Sequence, residues 1–233
     1  MTHADPVCMK ALFAVHVAAG FSAFCLAPVA LATAKGGRQH KRWGMVYFWA
    51  MGVVAASALV MALYRPVLFL AFVSVFSFYL VFSGYRVLRL KDLARGGSAK
   101  PVDWVAACLA FGVCVCLAGF GWLRPAWLHG MGIVGIALGL VGMRLTIADM
   151  VMFVRKPKEK MFWWYGHLGK FIGSYIAAWT AFSTVTLPRV FPHAGLVLWL
   201  WPLAVGVPAI AVTTAYYKRK FAPKVKGSAA AIA

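Results

Sequence analysis

Residues 9–42 read MKALFAVHVAAGFSAFCLAPVALATAKGGRQHKR. The apolar run at 9–33 is long enough, as a helix, to cross the roughly 30 Å hydrocarbon core of a bilayer. A short cluster of Lys and Arg follows it at 35–42. Because basic loops between apolar segments are typical of polytopic membrane proteins, this stretch predicts a transmembrane helix that ends in a basic loop.

The same pattern repeats along the chain. Further apolar runs, each close to the length of a transmembrane helix, lie at 43–64, 66–87, 104–123, 130–153, 162–187 and 195–217. None shows the sustained alternation of a membrane β-barrel. We therefore predict an all-α, polytopic helical bundle of about seven transmembrane helices, which forms a single domain over residues 1–220. Residues 221–233 are predicted to be a disordered cytoplasmic tail.

Composition supports lipid as the solvent of this chain. Hydrophobic residues make up 63% of the sequence and charged residues 12%, whereas soluble domains have about 45–50% and about 25%. The net charge of +19 would suggest nucleic acid for a soluble protein. Here the basic residues lie in short loops between apolar runs, so we expect the lipid bilayer as partner and no nucleic acid.

The distribution of charge predicts the orientation. Of the 24 Lys and Arg residues, eighteen lie in the first, third and fifth loops and the C-terminal tail. Such loops stay in the cytoplasm, which predicts an external N-terminus and a cytoplasmic C-terminus in a bacterial cytoplasmic (inner) membrane. The alternative interpretation, residues 1–34 as a cleaved signal peptide, is disfavoured because Lys10 is the only basic residue in its N-terminal region.

Ionisable side chains inside the spans, or at their inner ends, are the candidates for binding. Such residues are costly in a bilayer and usually functional. They are His16, His40, Arg42, Arg144, Asp149, His167 and Lys170. His16 shares its helix face with small residues, so it either hydrogen-bonds one neighbouring helix or has a metal, haem or proton-relay role.

The fifth span carries a row of glycines on one face. At 100° per residue they lie within an arc of about 80°, which predicts a close-packing seam with another helix; they are Gly132, Gly135, Gly139 and Gly142. Asp149 continues this face, whereas Arg144 lies about 140° away from Asp149. Each of the two therefore needs a partner on another helix, unless Arg144 extends toward the headgroups.

The sixth span carries His167 and Lys170 on one face. If this span approaches the second, these residues and His40 with Arg42 would form a basic, imidazole-containing pocket, with the two imidazoles within roughly 12 Å. Such a pocket could hold a haem propionate, an anionic lipid headgroup or an anionic small molecule. Ordinary anchoring by basic residues would explain the same pattern without a ligand.

Several motifs are similar to those of one protein family. They are HVAAGFSAFCLAPVAL from His16, KGGRQHKRWGMVYFWAM around His40, FSGYRVLRLK, GHLGKFIGSYIAAWTAF around His167, and WPLAVGVPAI. Across about residues 10–220 the chain resembles a family of bacterial predicted membrane proteins catalogued only as a domain of unknown function. By similarity, His16, His40, Arg42 and His167 match the polar hallmarks of that family. The resemblance implies a fold and no established activity.

Three classes of function remain open. The first is a redox protein that binds haem b or a metal, with His16, His40 and His167 as ligands. His40 and His167 share the inner side, and His16 and His129 the outer side, although in each pair one histidine looks loop-like and the depths match poorly. Haem ligation requires two histidines at matching depth on different helices.

The second class is a small-molecule or proton-coupled transporter that uses His16, Asp149, His167 and Lys170, although the sequence shows no convincing inverted repeat. The third is a non-catalytic membrane subunit or sensor. No P-loop, G-x-S-x-G or H-E-x-x-H motif is present, so the motifs give no support to a nucleotide-binding protein or a hydrolase. Whether the protein is an enzyme stays open.

Overall fold

The computed structural model describes residues 5–65, 68–123 and 132–222. Within these ranges the chain is helical and has no strand. Its seven long helices are α1 (Val7–Ala32), α2 (Arg38–Tyr64), α3 (Leu68–Arg86), α4 (Pro101–Leu123), α5 (Gly132–Val154), α6 (Phe162–Thr186) and α7 (Val197–Phe221). This confirms the predicted all-helical bundle. The predicted tail begins at the last residue of α7, and its residues 223–233 lie outside the described ranges.

Six of the seven helices are long and apolar enough to cross a membrane. The exception is α6, whose 25 residues suffice in length but include several hydroxyl groups besides His167 and Lys170. The bundle supplies partners for its polar groups: Ser174 Oγ lies 2.8 Å from the Tyr47 hydroxyl, and Ser183 Oγ accepts a bond of 3.0 Å from Trp201 Nε1. The polar residues of α6 therefore indicate that this helix packs against other helices on much of its surface, rather than facing lipid alone.

The helices form three pairs of neighbours around α3. In these pairs α1 packs on α2, α4 on α5, and α6 on α7, while α3 contacts α2, α4 and α6. The connections at 33–37, 87–100 and 155–161 carry most of the basic residues of the described loops. We call the end of the bundle that holds them the basic side. Because α3 touches all three pairs, polar residues near its C-terminus can meet side chains from every part of the bundle.

The predicted glycine seam of α5 faces α4. A Cβ added at Gly139 would lie 2.7 Å from Ala118 Cβ and from the Cys114 carbonyl oxygen. One added at Gly142 would overlap Cys114 Sγ. Small residues let two backbones approach closely where no hydrophobic effect drives helix association. The seam is therefore confirmed as a site of close helix packing.

Large apolar side chains cover the outside of the bundle. Leu63, Leu109 and Val212 are 84%, 64% and 69% exposed. Contiguous exposed apolar surface of this kind would cause aggregation in water but suits hydrocarbon. The chain is accordingly a multi-pass membrane protein.

Candidate functional site

A close crossing of α3 and α6 on the basic side positions the candidate residues. A Cβ added at Gly84 would lie 2.9 Å from the Phe171 ring and 3.0 Å from Lys170 Cβ. One added at Gly166 would lie 3.3 Å from Val87 Cγ2. Glycine at both positions thus brings the α3 backbone against the turn of α6 that carries His167 and Lys170.

The imidazoles of His40 and His167 meet at this crossing. Their ring centroids are 6.1 Å apart and their planes are inclined by 77°. The predicted approach within 12 Å is confirmed. The expectation that their depths match poorly is wrong, because α2 begins at Arg38 and His40 lies in its first turn rather than in a loop.

Each imidazole is oriented by a backbone carbonyl. His40 Nδ1 lies 3.0 Å from the Ala30 oxygen near the end of α1, and His167 Nδ1 lies 3.0 Å from the Gly84 oxygen. A carbonyl can only accept a hydrogen bond, so both Nδ1 atoms carry a proton, and in the neutral imidazoles both Nε2 atoms then keep a lone pair. Histidines that bind metals are oriented in this way.

Aromatic side chains support one of the two rings. His167 packs against Phe171 with the centroids 4.5 Å apart, and Phe171 lies 5.9 Å from the Tyr47 ring.

In residues 5–65, 68–123 and 132–222, no group of three or more His, Cys, Asp or Glu side chains could hold a metal ion. The pair therefore offers two protein ligands, on separate helices and held by separate hydrogen bonds.

Two of the four residues predicted to share this pocket lie elsewhere. Arg42 is exposed, with its guanidinium 5.7 Å from the centre of the Trp43 ring. It follows His40 by two residues, which turns it about 200° around the helix. Lys170 forms an ion pair with Asp149. The predicted proximity is confirmed for the two histidines, whereas Arg42 and Lys170 have their contacts elsewhere and do not join them.

A buried ion pair between α5 and α6, to which Tyr79 of α3 adds a hydrogen bond, lies about one helical turn from His167. Lys170 Nζ lies 2.6 and 2.8 Å from the two carboxylate oxygens of Asp149, and the Tyr79 hydroxyl donates to Asp149 Oδ2 at 2.5 Å. Tyr79 and Asp149 are each 5% exposed. The expectation that Asp149 has its partner on another helix is confirmed, whereas the contribution of Tyr79 was not foreseen.

A second ion pair, also unforeseen, lies at the basic end of α3. Arg86 binds Asp103 of α4 in a bidentate manner, with distances of 2.6 and 2.8 Å. Such paired bonds fix both distance and orientation. The Lys100 amide donates to the same carboxylate at 2.9 Å. Asp103 therefore stabilises the start of α4 and its contact with α3.

A small cavity separates the two ion pairs. Its volume of about 10 Å³ is the space that one water molecule occupies, and Lys170, Arg86 and Ser83 contribute to its wall. Ser83 Oγ is buried, and beyond an interaction with the Tyr79 hydroxyl it has no hydrogen-bond partner among the described residues. Because a buried hydroxyl with unused hydrogen-bonding capacity is unfavourable, this cavity is suited to an ordered water.

His16 lies far from the imidazole pair. Its Nδ1 is 2.9 Å from Ser57 Oγ on α2, and Ser57 Oγ itself donates to the Val53 carbonyl at 2.6 Å. His16 therefore donates to Ser57, as the interhelical hydrogen-bond interpretation expected. Along α1, His16 lies about 21 Å from Ala30, whose carbonyl oxygen accepts the hydrogen bond from His40 Nδ1. His129, its predicted partner on the outer side, lies outside the described residues.

Arg144 is the candidate for which the structure supplies no partner. It is exposed on α5 and makes no ion pair or hydrogen bond with the residues that the structure describes. It lies on a different face of α5 from Asp149, as predicted.

Comparison of the chain with protein-family models, with curated proteins and with solved structures found no match. The resemblance of its motifs to one bacterial family therefore stays a prediction. The features that bear on function are the geometry of the two histidines and that of the buried ion pairs.

Proposed function

We propose that the protein is a redox membrane protein in which His40 and His167 would hold one haem b. The observation that carries this proposal is the pair of free Nε2 atoms on rings 6.1 Å apart. A metal that binds two imidazoles at about 2.0–2.1 Å lies about 3 Å from each ring centroid. Two imidazoles on opposite sides of one iron therefore have centroids about 6 Å apart.

The number of ligands favours haem over a bare metal ion. A bare zinc ion takes three or four protein ligands, and the described residues offer no third donor beside the pair. Haem iron takes at most two, because the macrocycle supplies the rest. The loop before α2 is basic, with Lys35 and Arg38 close in sequence to His40, and would complement the haem propionates.

The carbonyl groups that orient the rings would also tune the site. A hydrogen bond from Nδ1 to a carbonyl increases the basicity of Nε2 and fixes the ring plane. The acceptors belong to Ala30 of α1 and Gly84 of α3, so four helices would define the ligand geometry. Haem supplies one-electron chemistry when bound, and the protein supplies the ligand field and the position near one face of the membrane.

Absorbance spectra test this proposal. Full-length protein produced in haem-replete cells should contain about one haem per chain, with bands that sharpen and shift on reduction, as expected for two axial imidazoles. His40→Ala and His167→Ala should each lose most of the haem, whereas His16→Ala should retain it, since His16 bonds Ser57. Haem-free wild-type protein, or haem lost only in the His16 variant, would contradict the assignment.

We also propose that the basic side faces the cytoplasm, on the positive-inside rule. Reporter fusions after Gly96 and Lys226 should then behave as cytoplasmic, and a fusion near Pro192 as external. Fusion activity in whole cells measures this directly. Finding Gly96 and Pro192 on the same side would contradict the orientation and the number of spans.

Proton exchange with the basic side is a second candidate function. It is supported by the cavity next to Lys170, whose wall contains the buried Ser83 hydroxyl. A water there would lie between the buried Asp149–Lys170 pair and the Arg86–Asp103 pair at the membrane edge. Intramembrane ionisable residues connected to the surface in this way are typical of proton pathways.

Proteoliposomes that contain a pH-sensitive dye test the second function. If the protein conducts protons, an imposed potential should drive proton uptake that Ser83→Ala reduces several-fold without changing folding. Ser22→Ala is the matched control, because the Ser22 hydroxyl is exposed and bonds only its own helix. Uptake equal to that of empty vesicles would exclude proton conduction while leaving the haem assignment intact.

A further inference from the structure

One charged side chain lies on the outer, apolar face of α5. Arg144 is exposed, and along the same face Leu140, Ile147 and Val151 are 56%, 47% and 44% exposed. Their spacing of three and four residues places them around Arg144 on the helix surface. The guanidinium therefore lies in surface that is otherwise suited to hydrocarbon.

The position of Arg144 along α5 is close to the middle. It precedes the last residue, Val154, by about 15 Å and follows the first, Gly132, by about 18 Å. An extended arginine side chain covers about half of the shorter distance, so lipid phosphates at the membrane surface lie beyond its direct reach. A charge at this depth is strongly disfavoured unless a partner neutralises it.

No carboxylate side chain of this protein is placed to be that partner. The sequence contains five Asp and Glu residues, and Asp5, Asp103 and Asp149 are paired with Arg65, Arg86 and Lys170. Asp92 and Glu159 form only exposed ion pairs, but both lie in connections at the basic end of the bundle. A second copy of the chain in the same orientation would therefore offer no carboxylate at the depth of Arg144. The countercharge must come from a different molecule.

We infer that the face of α5 around Arg144 binds a transmembrane helix of another protein that carries an Asp or Glu near its middle. Ile133, Leu140 and Ile147 recur at seven-residue spacing and Arg144 follows Leu140 by four, which is the pattern of a left-handed helix pair. A single polar residue in such a seam sets the register and the choice of partner. This interaction does not depend on the histidine site.

Energy transfer with a model helix tests the inference. Wild-type protein is reconstituted at pH 8 in phosphatidylcholine vesicles, and its tryptophans serve as donors to a dansyl-labelled leucine–alanine transmembrane peptide with one central Glu. Saturable transfer is expected, with an apparent affinity at least about tenfold higher than for the same peptide with a central Leu. Arg144→Leu should abolish this difference, and Arg144→Lys should keep most of it.

Three results would overturn the inference. Equal transfer to the Glu and Leu peptides would show that Arg144 selects no carboxylate. Unchanged selectivity in Arg144→Leu would place the interaction elsewhere. Loss of selectivity when phosphatidylglycerol replaces part of the phosphatidylcholine would identify lipid phosphate as the countercharge instead of a partner helix.

Discussion

Lys170→Met should destabilise the bundle by about 3–5 kcal/mol, the cost typical of leaving a buried charge without its partner. Asp149 is 5% exposed, and the Lys170 ammonium donates a hydrogen bond to each of its two carboxylate oxygens. Among the described residues the Tyr79 hydroxyl would then be its only side-chain donor, and a neutral donor cannot balance the charge. Thermal unfolding in detergent, followed by circular dichroism, measures the loss.

A double variant separates charge from packing in this prediction. Asp149→Leu combined with Lys170→Met should recover most of the lost stability, because apolar pairs often replace buried ion pairs at little cost. Lys158→Met is the matched control, since Lys158 is exposed in the loop after α5. A neutral Lys170→Met, or a double variant less stable than the single one, would show that the ion pair does not hold α5 to α6.

Gly139→Leu should reduce the yield of folded, monodisperse protein several-fold. Even a Cβ at this position would lie 2.7 Å from α4 backbone and side-chain atoms, so a leucine forces α4 and α5 apart. Overpacking of this kind costs about 1–3 kcal/mol or more. Size-exclusion chromatography of a fluorescent fusion measures the folded fraction.

Gly112→Leu provides the control for the seam. Gly112 lies on α4, is exposed, and has no atom within 4 Å of an added Cβ, so its leucine should be tolerated. Equal yields of the two leucine variants would mean that α4 and α5 are not packed along the glycines.

The sequence was sufficient to predict the helices and one interface. Long apolar runs and basic loops reflect the thickness and charge rules of the bilayer, which act on each segment separately. The glycine seam could also be predicted from one segment, because close approach of two helices requires small residues on one face of a helix. The sequence also identified the polar residues of α6, but it did not identify the groups that bind them.

Partners depend on which helices are neighbours, and hydropathy carries no such information. Tyr79 lies in an apolar run and resembles an ordinary core aromatic, and Arg86 resembles a loop anchor. Only the position of α3 beside α4 and α5 reveals their carboxylate partners, Asp103 and Asp149. The error for Arg42 has a simpler cause, because closeness in sequence to His40 does not place two side chains on the same face of a helix.

Electron paramagnetic resonance of the oxidised, full-length protein tests most directly whether His40 and His167 bind the same haem. Two imidazoles on one ferric iron give a low-spin signal, and loss of either ligand leaves the iron high-spin or free of protein. If both histidines hold one haem, the wild type should give a low-spin signal that disappears in His40→Ala and in His167→Ala. A high-spin wild-type signal, or a low-spin signal that survives either replacement, would contradict this assignment.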